Sequence, residues 1–250
     1  PYAGLQEKLL GVRAGELVSI TSGTGAGKSS ICRELAAHFL SKGERVGYVA
    51  LEESNRRTAL GLMSAACGKQ FHIGEHERST LTEAYQETLA KWNLFLFDGF
   101  GSFDPDNVIS RIRYLAAGLD CRVVFLDHLS ILLSGLDGDE RRMIDTTMTK
   151  LRSLCEETGI SMFLVSHLRR PQGDKGHENG AQISLGQLRG SHSISQISDA
   201  VIGLERDQQS GDEHADTTVR ILKNRFTGET GIACQLKYDK EQCKFYESTT

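Results

Sequence analysis

The chain has 250 residues, 39% of them hydrophobic and 25% charged, an ordinary globular composition that excludes a disordered or fibrous protein. No apolar run approaches the about 20 residues that a membrane helix needs. Its 29 Lys and Arg against 33 Asp and Glu leave a net charge of −4, so any grip on nucleic acid requires a local basic patch.

Residues 16–21 read as an apolar strand that runs into a glycine loop. The spacing of Ile31, Leu35 and Phe39 predicts a helix over 28–40. A strand follows over 45–51, a helix over 54–67, a helix over 81–92 and a strand over 94–98. Residues 106–119 read as a helix that Asp106 could cap, and 122–127 as a strand. An amphipathic helix covers 143–155, with Met143, Thr147, Leu151, Leu154 and Cys155 on one face, and a strand covers 161–166. Strands then dominate, at 199–204, 217–222, 232–238 and 244–246. Alternation of strands and helices up to about residue 166 predicts parallel βαβ units, and the later strands an antiparallel sheet edge. The fold class is α/β, with a mostly parallel central sheet.

The six cysteines, Cys32, Cys67, Cys121, Cys155, Cys234 and Cys243, include no C-x-x-C pair. Four of them sit inside apolar segments, as small core residues do, and the set points to a reducing compartment rather than a zinc site. The start at Pro1 without methionine, and without a secretory leader, is expected of a piece of a longer protein.

The strongest motif is Ser22-Gly23-Thr24-Gly25-Ala26-Gly27-Lys28-Ser29. It fits G-x-x-x-x-G-K-[ST] with Ser22 in the first position, and it lies between a strand and a helix as the motif requires. Glycines let the backbone turn its N–H groups toward phosphate oxygens, and the helix start adds a favourable dipole. Lys28 would reach the β- and γ-phosphates, and the Ser29 hydroxyl would ligate Mg²⁺.

Residues 122–127 form an apolar strand ending in Asp127, the Walker B pattern, which would hold Mg²⁺ beside the phosphate loop. Glu52 and Glu53 follow another strand, and one carboxylate there could orient or deprotonate attacking water. Alternation does not choose between them. Asp98 also ends a strand, where a cap is as good a reading as a catalytic role. His167 ends the next strand and could touch a γ-phosphate. Arg169, Arg170 and Lys175 supply the local basic patch, suited to tracking a phosphate backbone, and Arg189 offers a second contact. Arg225 lies far along the chain from the phosphate loop, better placed for a neighbour's nucleotide than for its own.

The ordered segments SGTGAGKS, VALEES, VVFLDHLS, LVSHLRRP, QLRGS and ILKNRFTGETG resemble the helicase half of the fused primase–helicases of short-tailed phages. They are similar, less closely, to mitochondrial Twinkle and bacterial DnaB. The resemblance runs from Gly11 to Tyr238. It implies a RecA-like P-loop NTPase fold, with residues 1–12 as an amino-terminal remnant or linker and 13–250 as the motor domain. It further implies a homohexameric ring that hydrolyses ATP or dTTP with Mg²⁺, translocating 5′→3′ on single-stranded DNA and unwinding forked duplex. By the same resemblance Glu52 is the catalytic glutamate, His167 the γ-phosphate sensor and Arg225 a finger acting in trans beside Lys223. Ser30 and Gln196 join the nucleotide site, and Arg206 and Tyr238 flank the base. Arg169, Arg170, Lys175, Arg189 and Gly190 fall in DNA-binding loops, and residues 134–140 match another central loop. Ser195 stands where the phage relatives carry arginine. Primase and DNA polymerase are implied partners, and the infected bacterial cytoplasm, or the mitochondrial matrix, the implied location. A RecA-like recombinase forming filaments on DNA shares this fold and nucleotide site, as does a ring ATPase that assembles on protein.

Overall fold

The computed structural model describes residues 1–97, 99, 104–133, 140–168, 176–177, 179–188, 192–209 and 216–248. These build a nine-stranded sheet. Its strands are β1 (Leu17–Ser22), β2 (Val46–Ala50), β3 (Leu94–Leu96), β4 (Val123–Asp127), β5 (Ser161–His167), β6 (Ala200–Glu205), β7 (Thr217–Asn224), β8 (Gly231–Asp239) and β9 (Lys244–Glu247). The order across the sheet is β3-β2-β4-β5-β1-β6-β7-β8-β9. From β3 to β6 every neighbouring pair is parallel. The pairs β6–β7, β7–β8 and β8–β9 are antiparallel. The expected antiparallel edge is present, but it starts one strand later than the sequence pattern suggests. The strand after residue 199 pairs parallel to β1, and only its far side meets an antiparallel partner.

The inner parallel strands are buried along nearly their whole length because helices cover both faces. On one face Val18, Ile20, Tyr48, Phe125, Phe163 and Ile202 pack beneath α2 (Lys28–Ser41) and α1 (Ala3–Leu9). The rings of Tyr48, Phe125 and Phe163 stack across adjacent strands, with centroids 5.4 and 4.8 Å apart. On the other face Leu17, Val49, Val124, Leu126, Met162 and Leu164 pack against α5 (Pro105–Ala117) and α7 (Glu140–Thr158). A small satellite core around Met63, Phe71 and Ala84 joins α3 (Asn55–Cys67) to α4 (Arg78–Glu87). The six cysteines are unpaired, and five are buried.

Helix boundaries differ from the sequence pattern where side chains decide them. Asp104, not Asp106, caps α5: its carboxylate accepts the Asp106 N–H at 3.0 Å, and Pro105 takes the first turn, where a missing N–H costs nothing. Helix α4 starts three residues before the expected 81–92 and ends at Glu87, so Trp92 reaches the core from a turn. Among the described residues, four short helical pieces escape the periodicity: α1, α6 (Leu129–Leu133), a 3₁₀ turn at Leu185–Gln187 and α8 (His192–Ile197). None is long enough to establish a 3.6-residue pattern. Residues 1–12 include α1, whose Tyr2, Leu5 and Leu9 are buried in the main core.

A candidate nucleotide site at the carboxyl rim of the sheet

Parallel strands place their carboxyl ends on one rim. Ser22 is level with His167 and Leu204, and Ala50 with Asp127. Chain continuity then puts the phosphate loop, Glu52 and Asp127 side by side. Open α/β sheets bind ligands at this rim.

The loop leaves β1 at Ser22 and enters α2 at Lys28 through Gly27, whose φ of +93° lies in the left-handed region that favours glycine. Side chains also lie close over the glycines, closest at Gly23. A Cβ at Gly23 would stand 2.6 Å from the His177 side chain, one at Gly25 2.8 Å from Gln208 and one at Gly27 2.9 Å from Phe245. Gln208 further donates to the Thr24 carbonyl at 2.7 Å. Ala26 is buried.

Lys28 is buried, and its ammonium donates to the Ser22 carbonyl at 3.2 Å, the Ser22 hydroxyl at 3.0 Å and the Gly23 carbonyl at 3.2 Å. Burial lowers its pKa, with Asp127 and Glu52 pulling the other way. The Ser29 hydroxyl donates to Asp127 Oδ2 at 2.9 Å. Burial raises the Asp127 carboxyl above the usual carboxylate range, opposed by that hydrogen bond and by His128. Ser30 lines a small cleft with Arg33, Ser64, His72 and Tyr238.

The structure separates the two glutamates that the sequence leaves equivalent. Arg33 Nη2 donates to both Glu53 oxygens at 2.7 and 2.6 Å, and the Thr58 hydroxyl adds a bond at 2.9 Å. Glu53 is thus held in the fold. The Glu52 side chain is 57% exposed, and its Oε1 lies 2.5 Å from Nε2 of the buried His128. His128 in turn meets the ring of His167 edge-on, with centroids 4.1 Å apart. The ligating atoms of Glu52, His128 and His167 lie within 4.8 Å of one another.

Arg206 follows β6 at the same rim, half-buried, with its Nε unbonded. Tyr238 packs on Phe245, the residue against Gly27, at 4.8 Å between centroids.

The remaining assigned residues are elsewhere. Lys223 lies near the end of β7 and Arg225 just past it; because β7 is antiparallel to β6, both stand at the opposite end of the sheet from the phosphate loop of their own chain. Lys223 Nζ donates to the carbonyls of Ser195 and Gln196 at 2.6 and 2.8 Å. Burial, with Arg225 adding to it, lowers the Lys223 pKa to about 8. Arg225 donates to the Gln196 carbonyl and lies 3.4 Å from Asp199 Oδ1, with half of its side chain exposed. Gln196 therefore groups with Lys223 and Arg225. None of the three sits at its own chain's phosphate loop, because β7 runs away from that rim. Asp98, Arg169, Arg170, Lys175, Arg189, Gly190 and residues 134–139 lie outside the described residues.

Four rim residues were invisible to the sequence reading. His128 had one signal, its place directly after Asp127 in the strand motif. His177, Gln208 and Phe245 had none, since long-range packing alone brings them to the loop.

A phosphate loop at the carboxyl rim of a parallel sheet, with acids at two neighbouring strand ends, defines a P-loop nucleotide-binding domain. The family described as the DnaB-like helicase C-terminal domain matches residues 1–247, and the chain belongs to that family. It is 38% identical over 246 residues to a DNA helicase/primase of Enterobacteria phage T3, covering 95% of this chain and 43% of that protein. The chain thus spans less than half the length of this relative. Its fold is similar to a solved ATPase domain, with TM-score 0.82, 19% identity and coverage of 99% of this chain and 90% of that one. It is also similar to a solved structure of a DnaB-like replicative helicase and its interactions with primase, with TM-score 0.81, 20% identity and coverage of 98% and 61%. These likenesses agree with a RecA-like α/β fold. No described helix is long and apolar enough to cross a membrane.

Proposed function

We propose that this chain is the nucleotide-driven motor of a homohexameric replicative DNA helicase that moves 5′→3′ on single-stranded DNA and separates the duplex ahead of it. One observation carries the reading: the division of hydrolytic groups between the two ends of the sheet. Lys28, Ser29, Glu52 and Asp127 gather at one rim, while Arg225 stands half exposed at the other. Each chain then holds an incomplete site and offers the missing group to a neighbour, which a closed ring satisfies at every interface.

The donor set suits a magnesium–nucleotide complex. Ser29 and Asp127 present oxygen atoms 2.9 Å apart, the ligand type hard cations prefer. Burial raises the pKa of the Asp127 carboxyl, and a cation bound beside it would favour its charged form. When bound, Mg²⁺ neutralises charge on the β- and γ-phosphate oxygens of ATP or dTTP.

The chain's own groups supply the rest. Lys28 turns from the carbonyls of Ser22 and Gly23 to the terminal phosphates, while the backbone of residues 23–27 and Ser30 cradle them. Glu52 orients or deprotonates the attacking water, and its bond to His128 aims it. His167, at the next strand end, contacts the γ-phosphate and registers its loss. Arg206 and Tyr238 flank the base. Arg225 of the adjacent chain, with Lys223 and Gln196 beside it, stabilises charge on the transferring phosphoryl group. Arg169, Arg170, Lys175, Arg189 and Gly190 hold the DNA backbone, so the grip weakens with salt. Residues 13–250 act as the motor and 1–12 lead into it. A solved relative interacts with primase, which makes primase, and DNA polymerase beyond it, the proposed partners. The phage relative points to the cytoplasm of an infected bacterium, and the relatives reported lend the mitochondrial alternative no support.

The test is strand separation on forked DNA with and without a 5′ single-stranded tail, with hydrolysable and non-hydrolysable nucleotide, beside sedimentation of the same sample. Unwinding that requires both the 5′ tail and hydrolysis supports the motor. DNA-bound rings or filaments without unwinding would replace it by the recombinase reading.

A further inference from the structure

The amino-terminal helix α1 and the turn that carries Arg225 are joined more closely than packing alone requires. A helix leaves its last carbonyls without intrahelical partners. Helix α1 ends at Leu9, with Leu10 in the left-handed region at φ +53°. The Arg225 turn supplies the missing donors: Asn224 Nδ2 donates to the Lys8 carbonyl at 3.0 Å and the Thr227 hydroxyl does so at 3.4 Å. The same Asn224 shapes the turn, because its Oδ1 accepts the N–H groups of Phe226 at 3.0 Å and Thr227 at 3.2 Å. One side chain thus folds the turn and ties it to the helix. On the far side of the turn, Lys8 Nζ donates to the Thr230 carbonyl at 3.1 Å.

Arg13 completes the junction. Its guanidinium lies over the ring of Phe226, 3.8 Å from the centroid, and donates to the Leu9 carbonyl at 3.2 Å. Glu16 holds it there, accepting Arg13 Nε at 2.5 Å. The Phe226 ring is 60% exposed, so this stack contributes orientation more than burial. The helix behind it is fixed by Tyr2, Leu5 and Leu9 in the core.

We propose that α1 is the positioning element of the Arg225 turn, with Lys8, Arg13, Asn224 and Phe226 forming a clasp that aims the arginine at a neighbouring chain's nucleotide. The inference rests on the reading that Arg225 acts in trans. A displacement of α1 would then change turnover at the adjacent chain's site and not at its own.

The experiment uses full chains mixed in pairs. A chain with Lys28→Ala gives the arginine but has no working site, and a chain with Arg225→Ala gives the site but no arginine. The parental pair recovers hydrolysis at mixed interfaces. Adding Arg13→Ala to the arginine-giving chain lowers that recovered turnover about fivefold, a size in keeping with the loss of one cation–π contact and one hydrogen bond. The same change on the site-giving chain leaves it unaltered, and Arg13→Lys, which keeps a cation over the ring, restores most of it. Lys8→Met, which removes the Thr230 contact, shows the same asymmetry. Urea midpoints that leave each variant chain fully folded under the assay conditions separate aiming from unfolding. Equal effects on both chains, or none on the arginine-giving chain, overturn the clasp while leaving the trans arginine intact. A parental pair that recovers nothing overturns the trans reading and the clasp together.

Discussion

The two ends of the central sheet solve different problems. At the carboxyl rim, Lys28 and Asp127 are desolvated and already bonded to other groups of their own chain, Lys28 to Ser22 and Gly23, Asp127 to Ser29. At the opposite end, Arg225 is half exposed and Lys223 partly buried; both donate to backbone carbonyls of residues 195 and 196, and Asp199 lies 3.4 Å from Arg225. A rim that closes around a small anion profits from burial, since charges interact strongly where water is excluded. A group that reaches another molecule must stay exposed, as half of the Arg225 side chain is. Exposure therefore separates Arg225, half exposed, from the buried Lys28, although both donate to backbone carbonyls.

That contrast breaks most visibly at Arg225. Replacing it with alanine is expected to lower hydrolysis by about 10³-fold, with nucleotide binding by the same chain changed less than about twofold. Equilibrium binding of a fluorescent nucleotide beside steady-state turnover reads both. A parallel fall in binding would mean that the arginine serves its own loop after all. Lys28→Ala is the complementary case. Turnover is expected to fall about 10²- to 10³-fold and binding to fall with it, because this lysine meets phosphate in the ground state as well.

The two glutamates sharpen the comparison within the rim. Glu52→Gln is expected to lower kcat by about 10²-fold with little change in the urea midpoint. Glu53→Gln, which leaves Arg33 without its carboxylate partner, is expected to cost about 3 kcal/mol of stability, read by urea denaturation. An exchange of these outcomes would reverse the assignment.

The smallest effect concerns pH. Burial raises the carboxyl of Glu34 to about 7, against hydrogen bonds from the Tyr2 hydroxyl and the Phe245 N–H that favour its charged form. A raised carboxyl binds protons in the folded state that the unfolded chain has lost. Stability from this group therefore falls as pH rises from about 4.5 to 7, and the deficit is complete above 7. Glu34→Gln stays neutral throughout. The wild type is expected to lose about 2 kcal/mol relative to this variant between pH 5 and pH 8 in denaturant titrations. A difference that does not change with pH would remove Glu34 as the titrating group.

Much of this molecule was legible before any coordinates. The phosphate loop, the Walker B strand and the parallel core were readable because each rests on local order: an apolar run of fixed length, a glycine pattern, then a helix. Such features depend on neighbours along the chain, and sequence spacing records them directly. The family resemblance added the proposed choice of Glu52 over Glu53, and the Arg33–Glu53 pair leaves Glu52 as the glutamate not held by an arginine. Asp104 rather than Asp106 as the α5 cap shows the limit, since two aspartates at adjacent turn positions differ only in which backbone N–H they reach.

What only the tertiary structure decided are contacts between segments far apart in the chain. His128 beneath Glu52 joins residues 76 positions apart. Gln208 on Thr24 spans 184 positions, and Asn224 on the end of α1 spans 216. No periodicity encodes such distances, because they follow from the order in which nine strands pair, and one strand's parallel or antiparallel choice moves every residue at its ends from one rim to the other. The sequence by itself determined which chemistry the chain carries, while the pairing of β6 with β1 and of β7 with β6 decided that Lys28 and Arg225 stand at opposite ends of one sheet.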